Sequence, residues 1–381
     1  MYKELLRDLF DDYDIRIRPR LNQSSTVEVN TSFTLNSIVD FDTAGQSIVI
    51  MGFFIITWFD EVLKWDPNDY GKTNYFRVRL NDIWYPQIEF SKKSTLYFQT
   101  NDASKTLGDK ETEIAKISYN GFVVWTHDGI FNSMCKVTVK YYPFDVQTCE
   151  LIYHAAGENK DTVLLNVPHA NHYFNLLENS EWRVVKTTAK VIDSFNTNVM
   201  FIVVTVQRRA EFTVYTMIIP LATLAVVNVF TFLVPIESGE KGSLSITLFL
   251  AYGFFTTITR DSLPHNSIQV SYYIVYVTTL LIFSVFTVIY VIIEAKINSS
   301  IGSNEINICK IKSNQVKSVD AMSKTNDEYE LENMPQMDKT LTWNEFLKKM
   351  DIVMFLFSIL AMSIYSTVLW TYVYKKSKIY S

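Results

Sequence analysis

Four apolar segments in the second half of the chain constrain its fold more than any other feature. They cover residues 212–234, 237–261, 270–293 and 352–373. At about 1.5 Å per residue, each is long enough to cross about 30 Å of hydrocarbon as a helix. Pro220 is tolerable inside the first segment if neighbouring groups satisfy the carbonyl that it frees. The sequence therefore predicts four membrane-spanning helices.

The second segment differs from the other three because a polar stripe runs along it. Steps of three or four residues keep to one face of a helix. Such steps join seven positions, namely Glu240, Ser243, Thr247, Leu250, Phe254, Ile258 and Asp261. Charges at the ends of this stripe are costly against lipid, so we predict that several copies of the helix surround a shared aqueous pore. The opposite face holds Leu248, Phe249, Tyr252 and Phe255, which are expected to pack against other helices.

An amphipathic helix lying in the membrane interface is the alternative for this segment. The three longer apolar runs nearby argue against it, because they indicate a domain that crosses the membrane.

The first 211 residues have the polar and aromatic composition of an ordinary domain. A short amphipathic helix is expected over residues 3–12, where Leu5, Leu6, Leu9 and Phe10 share one side. Residues 26–209 form short runs rich in Val, Ile, Thr, Phe and Tyr, broken by Asn, Asp, Gly and Pro. This pattern is typical of an all-β sandwich. The expected fold class is thus an Ig-like β-sandwich extracellular domain followed by an all-α four-helix transmembrane domain.

The cysteines indicate the compartment of the first domain. Cys135 and Cys149 enclose thirteen residues, while Cys309 is distant. The close pair suggests an oxidised loop and hence an extracellular location, and Asn22 and Asn30 begin possible glycosylation triplets. Four crossings put both termini on this side, and we expect a cleaved signal to precede the numbering used here. The basic residues after the last segment oppose the positive-inside tendency, but a large translocated domain largely fixes orientation.

These observations divide the chain into four regions of a multi-pass plasma-membrane protein. They are an extracellular domain at 1–211, three membrane helices at 212–293, a cytoplasmic linker at 294–350, and the fourth helix with an extracellular tail at 351–381. The linker is polar, so we expect it to be largely disordered and helical only near its end.

Composition and motifs exclude two function classes. The net charge of −5 provides no broad basic surface, which argues against nucleic acid as a partner. The sequence has no phosphate-binding glycine loop, nucleophile elbow or His-Glu-x-x-His motif, so no recognisable residues support an enzymatic function. No cofactor and no metal site are expected.

The segment from Cys135 to Cys149, with Tyr142-Pro-Phe-Asp145 inside it, resembles the signature loop of the Cys-loop receptors, the pentameric ligand-gated ion channels. Further motifs agree in order and spacing over nearly the whole chain: Trp58-Phe-Asp60, Trp84-Tyr-Pro86, Arg208 twelve residues before Pro220, and Ser238-Gly-Glu-Lys241. The chain is most similar to the nicotinic, cation-selective branch. This resemblance implies about ten strands, five identical or different subunits around the second membrane helix, a small-molecule agonist, permeant cations and contact with membrane lipid.

The resemblance also implies roles for individual residues. Positions that couple agonist binding to the pore are matched by Asp42, Phe144, Asp145, Arg208 and Pro264, although a purely structural ion pair is an alternative. Five copies of Glu240 would attract cations at the cytoplasmic mouth, while Leu250, Phe254 and Ile258 would form apolar rings that close the pore.

The agonist pocket would lie between neighbouring sandwiches. Its candidate residues are Phe53 and Ser91, with Tyr153, Ala156 and Phe195 from the other subunit. Ser91 and Ala156 stand where amine-binding relatives have Tyr and Trp, which argues against an acetylcholine-like agonist.

Two alternatives to a self-sufficient channel remain. One is a non-conducting, membrane-anchored binding or adhesion protein, which would not need acids and hydroxyls along a whole span. The other is an accessory subunit that conducts only beside a partner subunit, which the incomplete aromatic pocket favours.

Overall fold

A computed structural model describes residues 2–90, 113–155, 157–167, 173–194, 197–261, 263, 270–301 and 343–377. The chain forms two compact units. The first comprises Met1–Tyr215, Ile258–Ile274 and Trp370–Ser381, and the second comprises Thr216–Thr257 and Val275–Leu369. Five residues singled out in the sequence lie outside the described residues: Ser91, Ala156, Phe195, Pro264 and Cys309.

The first unit begins with helix α1 (Tyr2–Phe10), as predicted, and Leu5 of this helix is buried. Eleven strands follow in the described part of the chain, where about ten were expected. They are β1 Val27–Asp42, β2 Ser47–Phe59, β3 Tyr75–Arg79, β4 Ile88–Phe90, β5 Ile114–Ser118, β6 Phe122–Met134, β7 Val146–Ala155, β8 Val163–Asn166, β9 Tyr173–Leu177, β10 Trp182–Ser194 and β11 Thr197–Arg208.

The strands form two sheets, which confirms the sandwich prediction. One sheet has the order β3-β5-β6-β2-β1-β8, with β9 also paired to β1, and the other has the order β10-β11-β7-β4. Side chains alternate between the two faces of a strand. On β2, Ile48, Ile50, Phe54, Ile56 and Trp58 are accordingly all buried, while the residues between them face outward or contain no side chain. The core therefore lies between the sheets.

A buried hydrogen-bond network explains two of the tryptophan motifs. The hydroxyl of Tyr13 donates to Oδ2 of Asp60 (2.7 Å) and accepts the backbone N–H of Trp84 (3.1 Å). Oδ1 of Asp60 accepts the backbone N–H groups of Val62 and Leu63. Burial raises the pKa of Asp60, and these hydrogen bonds oppose the shift. Through Tyr13, the network links the segment after α1 to the Trp58-Phe-Asp60 and Trp84-Tyr-Pro86 motifs.

Four helical stretches are long and apolar enough to cross a membrane, over Glu211–Leu233, Glu240–Asp261, Tyr272–Ser300 and Glu345–Ser377. The helices are α2 Glu211–Thr213, α3 Ile219–Phe230, α4 Glu240–Asp261, α5 Tyr272–Ile301 and α6 Trp343–Ser377. Both ends of the predicted linker are helical, since α5 continues to Ile301 and α6 already begins at Trp343. The expectation of disorder between them falls on residues outside the described ranges.

The first membrane stretch is interrupted where Pro220 enters it. Residues Val214–Ile218 form a π turn between α2 and α3. Proline has no N–H to donate, and its ring collides with the carbonyl four residues earlier in a regular α-helix. The wider π turn relieves this collision, so the stretch continues without ending at the proline.

Candidate functional site

Helix α4 keeps its polar stripe on one face. Of the seven stripe residues Ile258 is partly exposed, and the other six are exposed in the single chain: Glu240, Ser243, Thr247, Leu250, Phe254 and Asp261. Leu250 and Phe254 expose 63% and 65% of their surface, whereas Leu248 and Tyr252 on the opposite face are buried. Large apolar side chains exposed on a membrane-spanning helix are covered by lipid, by another subunit or by the walls of a narrow pore. The packing prediction is confirmed for Leu248 and Tyr252, whereas Phe249 is 36% exposed and Phe255 is partly exposed.

The start of α4 separates two neighbouring residues of opposite charge. Gly239 has a positive φ of 72°, a conformation that favours glycine, and Glu240 begins the helix with its side chain exposed. A carboxylate is favourable in the first turn of a helix. Lys241 follows one step of about 100° around the axis and is only 1% exposed.

Lys241 is enclosed by acidic residues from α5 and α6. Its Nζ donates to both carboxylate oxygens of Asp351, at 2.8 and 2.7 Å, and lies 2.7 Å from Oε2 of Glu294. The hydroxyl of Tyr290 donates to Oδ1 of Asp351 (2.8 Å). We refer to Lys241, Tyr290, Glu294 and Asp351 as the inner cluster. All four belong to the second unit.

Sequence reasoning missed the acidic members of this cluster. Glu294 and Asp351 stand directly at the ends of the predicted linker, where charged residues are ordinarily solvated. The available signal was partial: Lys241 opens an apolar segment and needs an acidic partner if it is buried, but the sequence does not say which acid supplies it.

The loop between Cys135 and Cys149, closed by a disulfide bond, carries an ion pair in the first unit. Nε of Arg208 donates to Oδ1 of Asp145 (2.9 Å), and Gln147 donates to Oδ2 (2.6 Å). The Arg208 guanidinium also lies 4.2 Å from the ring centre of Trp182 and 5.0 Å from that of Tyr142. Two predicted coupling residues, Asp145 and Arg208, are thus brought together.

The same loop contacts the helix ends that belong to the first unit. Phe144 packs edge-to-face against Tyr374 (5.6 Å) and Trp370 (6.4 Å) at the end of α6. The backbone N–H of Tyr272, the first residue of α5, donates to the carbonyl of Lys140 (3.1 Å). The loop therefore contacts the first residue of α5 and the last turns of α6 directly.

Asp42 has a different environment. Its side chain is exposed and accepts the backbone N–H of Gly45 (2.8 Å) in the turn between β1 and β2. A Cβ at position 45 would collide with the carboxylate of Asp42, so a larger residue there would force the Asp42 side chain to move.

Of the candidate pocket residues, the structure describes Phe53 and Tyr153. Phe53 is partly exposed on the outward side of β2. Tyr153 is 0% exposed and packs against Phe54 and Phe131 in the core, which argues against its lining a pocket between subunits. Strand alternation is the reason: Cys149 and Tyr153 share the inward face of β7, so His154 faces outward instead. Counting from Cys149 in the sequence would have revealed this.

The two candidate glycan acceptors differ in accessibility. Asn22 is exposed in a turn. Asn30 is partly buried within β1, between β2 and β8, and the adjacent Thr31 is fully buried. Asn22 is the better placed acceptor.

Comparisons with known proteins agree with this arrangement. The chain matches the family models of the neurotransmitter-gated ion-channel ligand binding domain over residues 2–210 and of the neurotransmitter-gated ion-channel transmembrane region over residues 217–339.

Similar curated proteins are receptor subunits. Acetylcholine receptor subunit beta of Xenopus laevis is 27% identical over 298 residues, covering 74% of this chain and 59% of the relative. Neuronal acetylcholine receptor subunit alpha-3 of Homo sapiens is 28% identical over 277 residues, covering 70% and 52%. Acetylcholine receptor subunit alpha-like 2 of Drosophila melanogaster is 26% identical over 283 residues, covering 70% and 48%. The chain thus spans about half the length of the curated relatives it matches.

Proposed function

Because the chain belongs to the neurotransmitter-gated ion channel family, we propose that it is a subunit of a pentameric ligand-gated channel that conducts cations through a pore lined by α4. The observation that carries this proposal is the exposed stripe of α4, which has an acid at each end, hydroxyls at Ser243 and Thr247, and bulky apolar residues between. A helix facing only lipid or protein has no use for this combination. Five copies around an axis would line a water-filled path.

In this proposal, Glu240 determines the selectivity of the channel for cations over anions. Five carboxylates at one narrow mouth attract cations and repel anions, because walls of low dielectric strengthen Coulomb interactions. The burial of Lys241 supports the proposal, since the neighbouring ammonium does not share the exposed face with Glu240.

The agonist pocket belongs between neighbouring sandwiches, with Phe53 as its described aromatic residue. The relatives named above are acetylcholine receptor subunits, so acetylcholine is the first agonist to try. Ser91 and Ala156 replace aromatic residues that an amine would contact, so other chemical classes follow it. The protein's proposed location is the plasma membrane, with the sandwich and the C-terminus outside.

The test is to express the chain in cells and record currents while applying acetylcholine, other amines, amino acids, protons and lipophilic amphiphiles. We expect an agonist-evoked current that reverses near the cation equilibrium potential, and Glu240→Gln should lower its single-channel conductance. Glu237→Gln is the matched control, because Glu237 is also exposed but lies in the turn before α4 and pairs with Lys348 (3.7 Å).

Other outcomes identify the alternatives. Currents that appear only on co-expression with a nicotinic subunit would make this chain an accessory subunit, as the replacements at Ser91 and Ala156 suggest. A surface protein that binds ligand without current in either setting would be an anchored binding protein. A wild-type current that reverses at the chloride potential would contradict the role of Glu240.

A further inference from the structure

The mouth at the start of α4 poses an electrostatic problem. Glu240 and Lys241 are adjacent, so five subunits bring equal numbers of negative and positive charges to one place. Opposite charges in equal number give little preference for cations over anions. Rotation by one residue moves the lysine stem off the pore-facing line, but a flexible four-carbon side chain with a strongly hydrated ammonium can still reach water.

The inner cluster removes that freedom. The ammonium of Lys241 donates to both carboxylate oxygens of Asp351 and forms an ion pair with Oε2 of Glu294 at 2.7 Å. The side chains of Lys241 and Glu294 are 1% exposed and that of Asp351 is 12% exposed. Tyr290 secures Asp351 through a further hydrogen bond. The ammonium therefore has all its partners inside the protein and gains nothing by turning toward the pore.

The cluster also removes the positive charge behind the pore entrance. With both carboxylates ionised the cluster sums to −1 and with one of them protonated it sums to zero, so in neither state does it present the positive charge that the sequence of α4 alone would present. Replacing one carboxylate by its amide brings the sum to zero, and replacing both leaves +1. In a region of low dielectric this change is felt across a narrow pore.

Binding of an external ion does not account for the cluster. The cavity beside it, lined in part by Glu237, Glu294, Lys348 and Asp351, has a volume of about 20 Å³. That volume accommodates about one water molecule, which leaves no room for a hydrated cation or a lipid headgroup.

We propose that Glu294 on α5 and Asp351 on α6 are positioning residues for cation selectivity: they bind the ammonium of Lys241 away from the pore and neutralise its charge. The carboxylates of Glu240 then attract cations without a competing ammonium group at the pore surface. The proposal rests on the proposed function, because it requires that α4 lines a cation-selective pore.

The test compares Glu294→Gln, Asp351→Asn, the double variant, and the double variant combined with Lys241→Gln. Each single variant should remain cation-selective, because one carboxylate still neutralises the ammonium. The double variant should lose about twofold or more of its single-channel cation conductance and shift its reversal potential toward chloride. Adding Lys241→Gln should restore both values, since it removes the uncompensated charge. Lys348→Gln is the control for an exposed lysine nearby.

A role in folding alone predicts a different result. If Glu294 and Asp351 only hold helices together, Lys241→Gln will not restore the reversal potential of the double variant. An unchanged conductance and reversal potential in a surface-delivered double variant would likewise overturn the proposal.

A second measurement does not depend on current. Amine-reactive labelling of the purified full-length chain, followed by mass spectrometry, should find Lys241 protected relative to Lys348 in wild type and reactive in the double variant. Equal labelling of the two lysines in wild type would overturn the proposal. Protection of Lys241 in a chain that carries no cation current would instead contradict only the proposed function.

Discussion

The guanidinium of Arg208 is held between the carboxylate of Asp145 and the rings of Trp182 and Tyr142. Asp145 is nearly fully buried, so it depends on this one countercharge. Arg208→Gln should therefore destabilise the protein by about 3–5 kcal/mol, because it leaves a buried carboxylate without its ion-pair partner. We expect reduced surface expression and a lower melting temperature of the detergent-solubilised protein.

Arg209→Gln provides the control, since Arg209 pairs with an exposed carboxylate of Glu178. Surface pairs contribute roughly 0–1 kcal/mol, so this variant should behave almost like wild type. Adding Asp145→Asn to Arg208→Gln should recover part of the lost stability. Equal destabilisation by the two arginine variants would contradict the assignment of Arg208 to a buried pair.

Tyr13→Phe tests the network around Asp60. Burial raises the pKa of Asp60 and the Tyr13 hydroxyl lowers it, so the variant should raise this pKa further. A carboxyl group with a raised pKa binds more protons folded than unfolded, and stability then falls as pH rises from the unfolded value toward the folded one. The variant should lose about 1–3 kcal/mol near neutral pH and less at about pH 5.

Thermal melting of the two proteins at both pH values measures this difference. Tyr70→Phe is the control, because the Tyr70 hydroxyl bonds to Asp8 on the surface. A loss of stability in Tyr13→Phe that is independent of pH would contradict the link to Asp60.

The face on which a strand residue lies is predictable once one residue of the same strand is known to be buried. The inward position of Tyr153 follows from parity with Cys149, so sequence alone excludes it from an exposed pocket. The partners of Lys241 are a different case. Glu294 and Asp351 lie 53 and 110 residues farther along the chain, and no local pattern specifies which acids meet one lysine.

Helix α4 allows a test of its proposed gate. Leu250, Phe254 and Ile258 recur on the stripe, and apolar rings in a narrow pore exclude water and thereby ions. Leu250→Thr should favour wetting, so we expect spontaneous openings or activation at lower agonist concentrations, measured by electrophysiology.

Leu360→Thr on α6 makes the same chemical change at a site that is also exposed in the single chain, with 61% of its surface accessible. This control should gate like wild type, because lipid rather than the pore would cover α6. A surface-delivered Leu250→Thr protein with wild-type activation would count against the gate.

Helices were predictable as elements but not at their ends. Length and apolar content identify four crossings, because the bilayer requires both. The same criterion stops at the first charged residue and so misses the last turns of α5, whereas the first turns of α6 were expected as helix near the end of the linker. The π turn before Pro220 escaped prediction as well, since a proline in a membrane helix is compatible with a kink, a break or a wider turn.

For the whole molecule, four crossings lead us to expect both termini outside the cell. Epitope tags at the N-terminus of the mature chain and after Ser381 should bind antibody on intact cells. A tag inserted between residues 302 and 342 should bind only after permeabilisation. In the same samples, mass mapping without reduction should find Cys135 bonded to Cys149 and Cys309 as a free thiol. Cys309 in a bridge with either cysteine would contradict this topology.

The division into a sandwich and a helical region was predictable because the two parts obey different hydrophobic periods. Assembly was predictable only by resemblance, since a single chain shows the exposed stripe of α4 but not what covers it. The same holds for the agonist pocket, whose walls come from two subunits in our proposal.

The inner cluster also has a consequence for biosynthesis. Asp351 lies 110 residues after Lys241, so the ribosome needs about 5–20 s to synthesise the chain between them. During this interval Glu294 is the only acid of the cluster that can neutralise the lysine once α5 has been inserted. The second carboxylate is supplied by α6, the helix of the fourth crossing. A subunit therefore acquires the final charge of its inner cluster only after α6 has been synthesised, so a selective pore entrance cannot form before the fourth crossing exists.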